Sequence, residues 1–141
     1  MFAKSDTPGW VATILSWRWV AAAARIALVS AFLIGGIQKA VDFPGAVAEQ
    51  AHFGLQPAWL WAAAAIVVEL GGSALVILGR LVWLGAGGLG VLTAVAMLTA
   101  NDFWAKAGHD RFLAVNAFFE HLGLIAGLVL VSILSLRSQS A

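Results

Sequence analysis

"LAVNAFFEHLGLIAGLVLVSILSL", residues 113–136, decides the fold. It is an unbroken apolar run, longer than the ~20 residues a helix needs to cross a hydrocarbon core at ~1.5 Å rise per residue. Glu120 and His121 are its only ionisable residues. Such a group costs ~3 kcal/mol or more near the bilayer centre, so it calls for a partner, a cavity or a task. A barrel strand does not fit, because polar and apolar residues do not alternate and a lone strand leaves its backbone unsatisfied in lipid.

Three further runs share this character: Trp19–Ala40, Pro57–Gly79 and Leu81–Ala100. Across the 141 residues, 62% are hydrophobic and 11% charged, with a mean hydropathy of +0.93. A soluble domain this small has too much surface to hide so many apolar side chains, so lipid is their solvent. The expected fold is all-α: an integral membrane four-helix bundle, one domain over residues 1–141. Short connections make successive helices antiparallel neighbours.

The breaks between runs fit this reading. "VDFPGA" ends the first span with Pro44 and Gly45. Pro57 suits the first turn of the second, where its missing N–H costs nothing. Arg80 marks a tight third boundary, and "NDFWAKAGHDRF" is a short polar connection. Residues 1–18 are expected at the interface, with Thr7-Pro8 starting a helix and Trp10, Trp17 and Trp19 at headgroup level. "PGAVAEQAHFGL" is expected to form a second short interfacial helix between the first two spans. The N-terminus does not read as a cleavable signal.

No cysteine is present, which removes thiol redox chemistry, thiolate metal sites and iron–sulfur clusters. A net charge of +1 gives no case for nucleic acid. His52, His109 and His121 show no ligand spacing, so no metal site is expected. Lys4, Arg18, Arg80 and Arg137 fall on the side of the termini. Lys39, Lys106 and Arg111 fall on the other, beside Asp42, Glu49, Asp102 and Asp110. That bias places both termini on the cytoplasmic side.

The polar residues at membrane depth are the candidate site: Arg25, Gln38, Lys39, Glu69, Asn116, Glu120 and His121. Counting residues from each helix centre puts Arg25 near the depth of Glu69, so these two are expected to pair. Lys39 is expected near Asp102. Adjacent residues sit ~100° apart on a helix, so Glu120 and His121 do not share a face. Asn116, Glu120, Gly123 and Gly127 do share one, expected to point into the bundle, with His121 on its flank. The small-residue spacing in "GLIAG" serves packing within the bundle or a homo-oligomer face, the former being preferred. Phe53, Trp61, Phe103 and Phe118 gather at the same end. An aromatic mouth beside Lys39 and Glu120 would suit a quinone or a similar amphipathic ring.

"RIALVSAFLIGGIQKAVDF", "GLQPAWLWAAAAIVVELGGSALVILGR", "LTANDFW" and "VNAFFEHLGLIAGLVL" together resemble the DoxX family of small four-helix bacterial membrane proteins. The likeness runs from about Arg25 to Leu130. Its marks are an Arg in the first helix, Gly36–Lys39 at its end, a Pro-headed second helix with a central Glu before Gly-Gly, and an Asn in the fourth. The resemblance implies a membrane subunit of an oxidoreductase system, with Arg25, Lys39, Glu69 and Asn116 at family polar positions. At 120–121 the chain departs from a Lys-Asn type pair in relatives. The expected function is quinone or amphipath binding in an outward-facing pocket, beside an oxidoreductase partner. Arg25 would fix Glu69, Lys39 would polarise a carbonyl, and Glu120 and His121 would exchange protons. The alternative is a non-enzymatic scaffold or a solute or proton path.

Overall fold

The computed structural model describes residues 6–141 and is built of helices. Lys4, counted above for orientation, lies outside the described residues. A short helix α1, Gly9–Leu15, precedes the first long helix α2, Arg18–Val41. Helix α3, Phe43–His52, is the expected short helix after the first span. Helices α4, Ala58–Leu78, and α5, Val82–Thr99, follow, then a 3-10 turn at Phe103–Ala105 and the long helix α6, Gly108–Ser140.

Helix ends follow local chemistry. The Asp42 carboxylate accepts from the Gly45 N–H at 3.0 Å, capping α3. A Cβ at position 45 would run into that carboxylate. The turn from α4 to α5 reverses the chain in three residues. Gly79 takes a left-handed φ of 69° at the end of α4, where glycine carries no Cβ penalty. Leu81 also has a positive φ of 49°, a conformation costing a branched residue ~1 kcal/mol or more. At the opposite end, Lys106 donates to the Ala100 carbonyl at 2.6 Å and pairs with Asp102 at 3.4 Å. A cation there meets the negative end of the α5 dipole.

Among the described residues, four helices are long and apolar enough to cross a membrane. Helix α2 packs along α4, α4 along α5, and α5 along α6, each pair antiparallel, while α2 and α6 barely meet. Their approach is marked by Gly127, where an added Cβ would lie 2.9 Å from Leu28. Helix α3 folds back onto α4. Glycine lets the helices close in. A Cβ at Gly36 would lie 2.8 Å from Leu70, and one at Gly85 would lie 2.6 Å from the Gly72 carbonyl oxygen.

The core is Val29, Phe32, Val76, Val82, Ala86, Leu89, Leu128 and Val131. It fills the half of the bundle nearer the termini. The outside is also apolar: Ile26, Ile34, Val67, Leu78, Trp83, Val91, Leu130 and Leu134 all point away from the protein. Water would not tolerate that surface, and lipid does. At ~1.5 Å per residue, α6 is ~50 Å long against a ~30 Å hydrocarbon core, so its ends extend beyond the lipid tails.

Candidate functional site

The centre of the site is an ion pair between α2 and α4. Lys39 Nζ lies 3.1 Å from Glu69 Oε1 and 3.3 Å from Oε2. Both side chains are largely sealed, at 18% and 10% exposed. Helical side chains lean toward the N-terminus of their own helix. Lys39 does this, folding back one turn so that its ammonium sits beside Gly35. A Cβ at Gly35 would lie 3.6 Å from that ammonium and 3.5 Å from Glu69 Oε2. Gly35 is therefore the floor beneath the pair, and Gly36 beside it lets α4 approach.

A cavity of about 110 Å³ opens against this pair. Its polar wall is Lys39, Glu49, Gln50 and Glu69, with Thr99 at the end of α5. Its apolar wall is Phe53, Leu55, Trp61, Ala65, Leu92 and Val95. The Thr99 hydroxyl donates to the Val95 carbonyl at 2.8 Å, so it is already engaged. A water takes ~30 Å³ of liquid, so the space suits a few waters or one small ring rather than a whole drug-sized molecule.

A second, more open cavity of about 340 Å³ lies between the end of α2 and α3. Gly35, Gln38, Lys39, Asp42 and Glu49 line it. Lys39 and Glu49 are common to both cavities and stand between them. Across the two cavities the lining thus holds one ammonium and three carboxylates, those of Asp42, Glu49 and Glu69. This surplus disfavours an anionic ligand and suits a neutral or proton-accepting one.

Of the expected site residues, the structure gathers Gln38, Lys39 and Glu69. Arg25 is elsewhere. Its guanidinium lies at the end of α4, 3.0 Å from where a Cβ on Gly79 would sit. The expected Arg25–Glu69 pair is corrected: in the antiparallel α2–α4 pair Arg25 faces residue 79, while Lys39 reaches residue 69. The ion pairs among the described residues are Lys39–Glu69 and Lys106–Asp102, so the expected Lys39–Asp102 contact is also replaced.

The stripe on α6 is corrected in its outer part only, for Gly127 does meet Leu28 of α2. Asn116, Glu120 and Gly123 are exposed, and nothing lies within 4 Å of a Cβ built on Gly123. The packed side of α6 carries Ala114, His121 and Leu128 instead. Glu120 and His121 do occupy different faces, with inside and outside exchanged. His121 Nδ1 lies 2.6 Å from the Ala117 carbonyl; a carbonyl only accepts, so Nδ1 donates. Asn116, Glu120 and His121 line neither cavity.

Sequence reasoning passed over Glu49 and Gln50 because they sit outside the apolar runs. Their signal was the adjacent polar pair inside the short helix, at a turn multiple from Asp42. Among the described residues no cluster of three acidic or histidine side chains could hold a metal ion.

Residues 20–102, more than half of the chain, match the DoxX family, and the chain belongs to it. The matched stretch carries Lys39, Glu49 and Glu69; helix α6 lies beyond it. No curated protein and no solved structure matches the chain. The family and the four apolar helices make it a multi-pass membrane protein.

Proposed function

We propose that this DoxX-family protein binds the head group of a quinone, or of a neutral amphipathic molecule with a ring of similar size, in the Lys39–Glu69 cavity. The observation that carries this reading is the sealed ion pair set against an aromatic wall. An ammonium has three N–H donors. Two are directed at Glu69, and the third is free for a carbonyl oxygen. Phe53 and Trp61 supply the apolar face that a ring prefers. Glu69 and Glu49 take over the proton-exchange role first expected of Glu120 and His121, since they line the cavity and those residues do not.

The packed core in the other half of the bundle supports a closed pocket over a path through the protein. On this reading the α3 end faces away from the cytoplasm and both termini face it, in a bacterial inner membrane, following the basic residues near the termini. The chain encodes no redox centre, so electrons would be exchanged between the bound ring and an oxidoreductase partner.

Titration with a short-chain quinone tests this directly, read by tryptophan emission. Saturable quenching that is lost in Lys39→Met and reduced in Trp61→Phe is expected. Quenching that is linear in quinone, or identical in all three proteins, would overturn the assignment.

A further inference from the structure

Helices α5 and α6 leave a groove open along one side. Two cavities, of about 480 and 280 Å³, share Trp83, Ser132 and Ile133 and so run into one another. Gly87 and Gly90 keep the α5 wall low, for a Cβ built on either meets nothing within 4 Å. The deep part is almost wholly apolar and ends at Ala94 and Ile125. From Ala94 to Trp83 the groove measures ~17 Å along α5, close to half of a ~30 Å hydrocarbon core. A membrane-spanning partner helix needs a face along the whole core, whereas one acyl chain needs a single leaflet.

The mouth of the groove is polar and lies at the end of the bundle that carries the termini. Ser135 and Gln139 line it. Ser135 is only 7% exposed, and its hydroxyl makes no hydrogen bond among the described residues. Trp83, 67% exposed, stands at the headgroup level that indole prefers. Arg137 follows Ile133 by one turn on α6, and helical side chains lean back toward their own N-terminus, here toward the mouth. Arg80 sits in the turn just before α5. Both arginines are exposed, and neither has an ion pair among the described residues. Arg18 and Arg25 add to the positive charge at this end, where Asp6 is the one acidic side chain among the described residues. Asp42, Glu49, Asp102 and Asp110 lie at the other end.

We propose that the α5–α6 groove is a binding site for an anionic phospholipid. One acyl chain lies over Gly87 and Gly90 as far as Ala94. The phosphate sits at the mouth with Arg80 and Arg137, as basic residues flanking a gap between transmembrane helices favour. The Ser135 hydroxyl and the Gln139 amide donate to the oxygens of the lipid's glycerol esters and phosphate. This gives the buried Ser135 hydroxyl a partner that the chain does not supply. The proposal does not rest on what the Lys39–Glu69 cavity binds.

Native mass spectrometry tests it, on protein released from vesicles of phosphatidylglycerol and phosphatidylcholine mixed equally and carrying the same acyl chains. The parent should retain one phosphatidylglycerol, about tenfold or more in preference to phosphatidylcholine. The Arg80→Gln, Arg137→Gln double variant should bring that ratio to about one. An Arg18→Gln, Arg111→Gln variant loses the same charge away from the groove and should keep the parental ratio. Gly90→Leu fills the groove and should lower retention of phosphatidylglycerol about tenfold, with an unfolding midpoint no lower than the parent's because leucine is the better helix former. Equal retention of the two lipids by the parent, a ratio that falls equally in both charge variants, or parental retention in Gly90→Leu would overturn the proposal. So would a co-released protein in place of the lipid.

Discussion

Lys39 and Glu69, thirty residues apart, meet across the α2–α4 interface with 3.1 Å between Nζ and Oε1. The contact spans the depth between the two α-carbons because the lysine folds back over Gly35 rather than reaching out along its helix. Long lysine stems allow such displacement of charge from backbone. Burying both ions costs desolvation, which the pair recovers only while both partners are present.

Lys39→Met should therefore destabilise the protein by about 3 kcal/mol, because it strands a buried carboxylate. Adding Glu69→Leu should restore most of that loss. Unfolding of the parent, single and double variants in one detergent checks it. A double variant worse than the sum of the two singles would contradict the picture.

Gly85→Ala should cost about 1–3 kcal/mol, since the new Cβ would sit 2.6 Å from the Gly72 carbonyl oxygen and 2.9 Å from Leu75 Cβ. Gly87→Ala, two residues on and on the opposite face of α5, with nothing within 4 Å, should be stabilising by up to about 1 kcal/mol through helix propensity. Unfolding midpoints of the two variants should move in opposite directions.

Asp42→Ala removes the side-chain cap of α3 and should cost about 1 kcal/mol. Helix α3 supplies Glu49 and Gln50 to the cavity, so loosening it should weaken quinone quenching while helical content stays nearly constant. Hydrogen exchange should rise within residues 43–55 and stay unchanged in α5. Protection of α3 equal to that of the parent would refute the cap's role.

Arg25→Ala should leave quinone quenching unchanged, because the guanidinium sits at the end of α4 and not in the cavity. Its loss should cost about 0.3–1 kcal/mol, the usual worth of a cation at a helix C-terminus. A tenfold loss of quinone affinity in this variant would mean that the two ends of the α2–α4 pair are coupled.

The spans were readable because lipid imposes one crude demand, a long apolar helix, and composition alone answers it. The short helix α3 was readable from Pro44, Gly45 and the run after them. Lys39 and Glu69 were recognisable as residues in need of a partner, for an ionisable group at depth is conspicuous wherever it points. Depth counting nevertheless paired Glu69 with Arg25, because it placed each charge at the height of its α-carbon. It also turned Glu120 inward, because a polar stripe on one face says nothing of which way that face is rotated.

By itself, then, the sequence determined that this protein crosses the membrane in four helices and which few polar residues must find partners there. The tertiary structure alone decided the partners: Lys39 with Glu69, Arg25 at the end of α4, Glu120 on the outer surface. The physical reason is geometric. Hydropathy is a sum along the chain and survives any rotation of a helix. A contact depends on ~100° of turn and ~1.5 Å of rise per residue, and the close glycine crossings at Gly36 and Gly72–Gly85 set both.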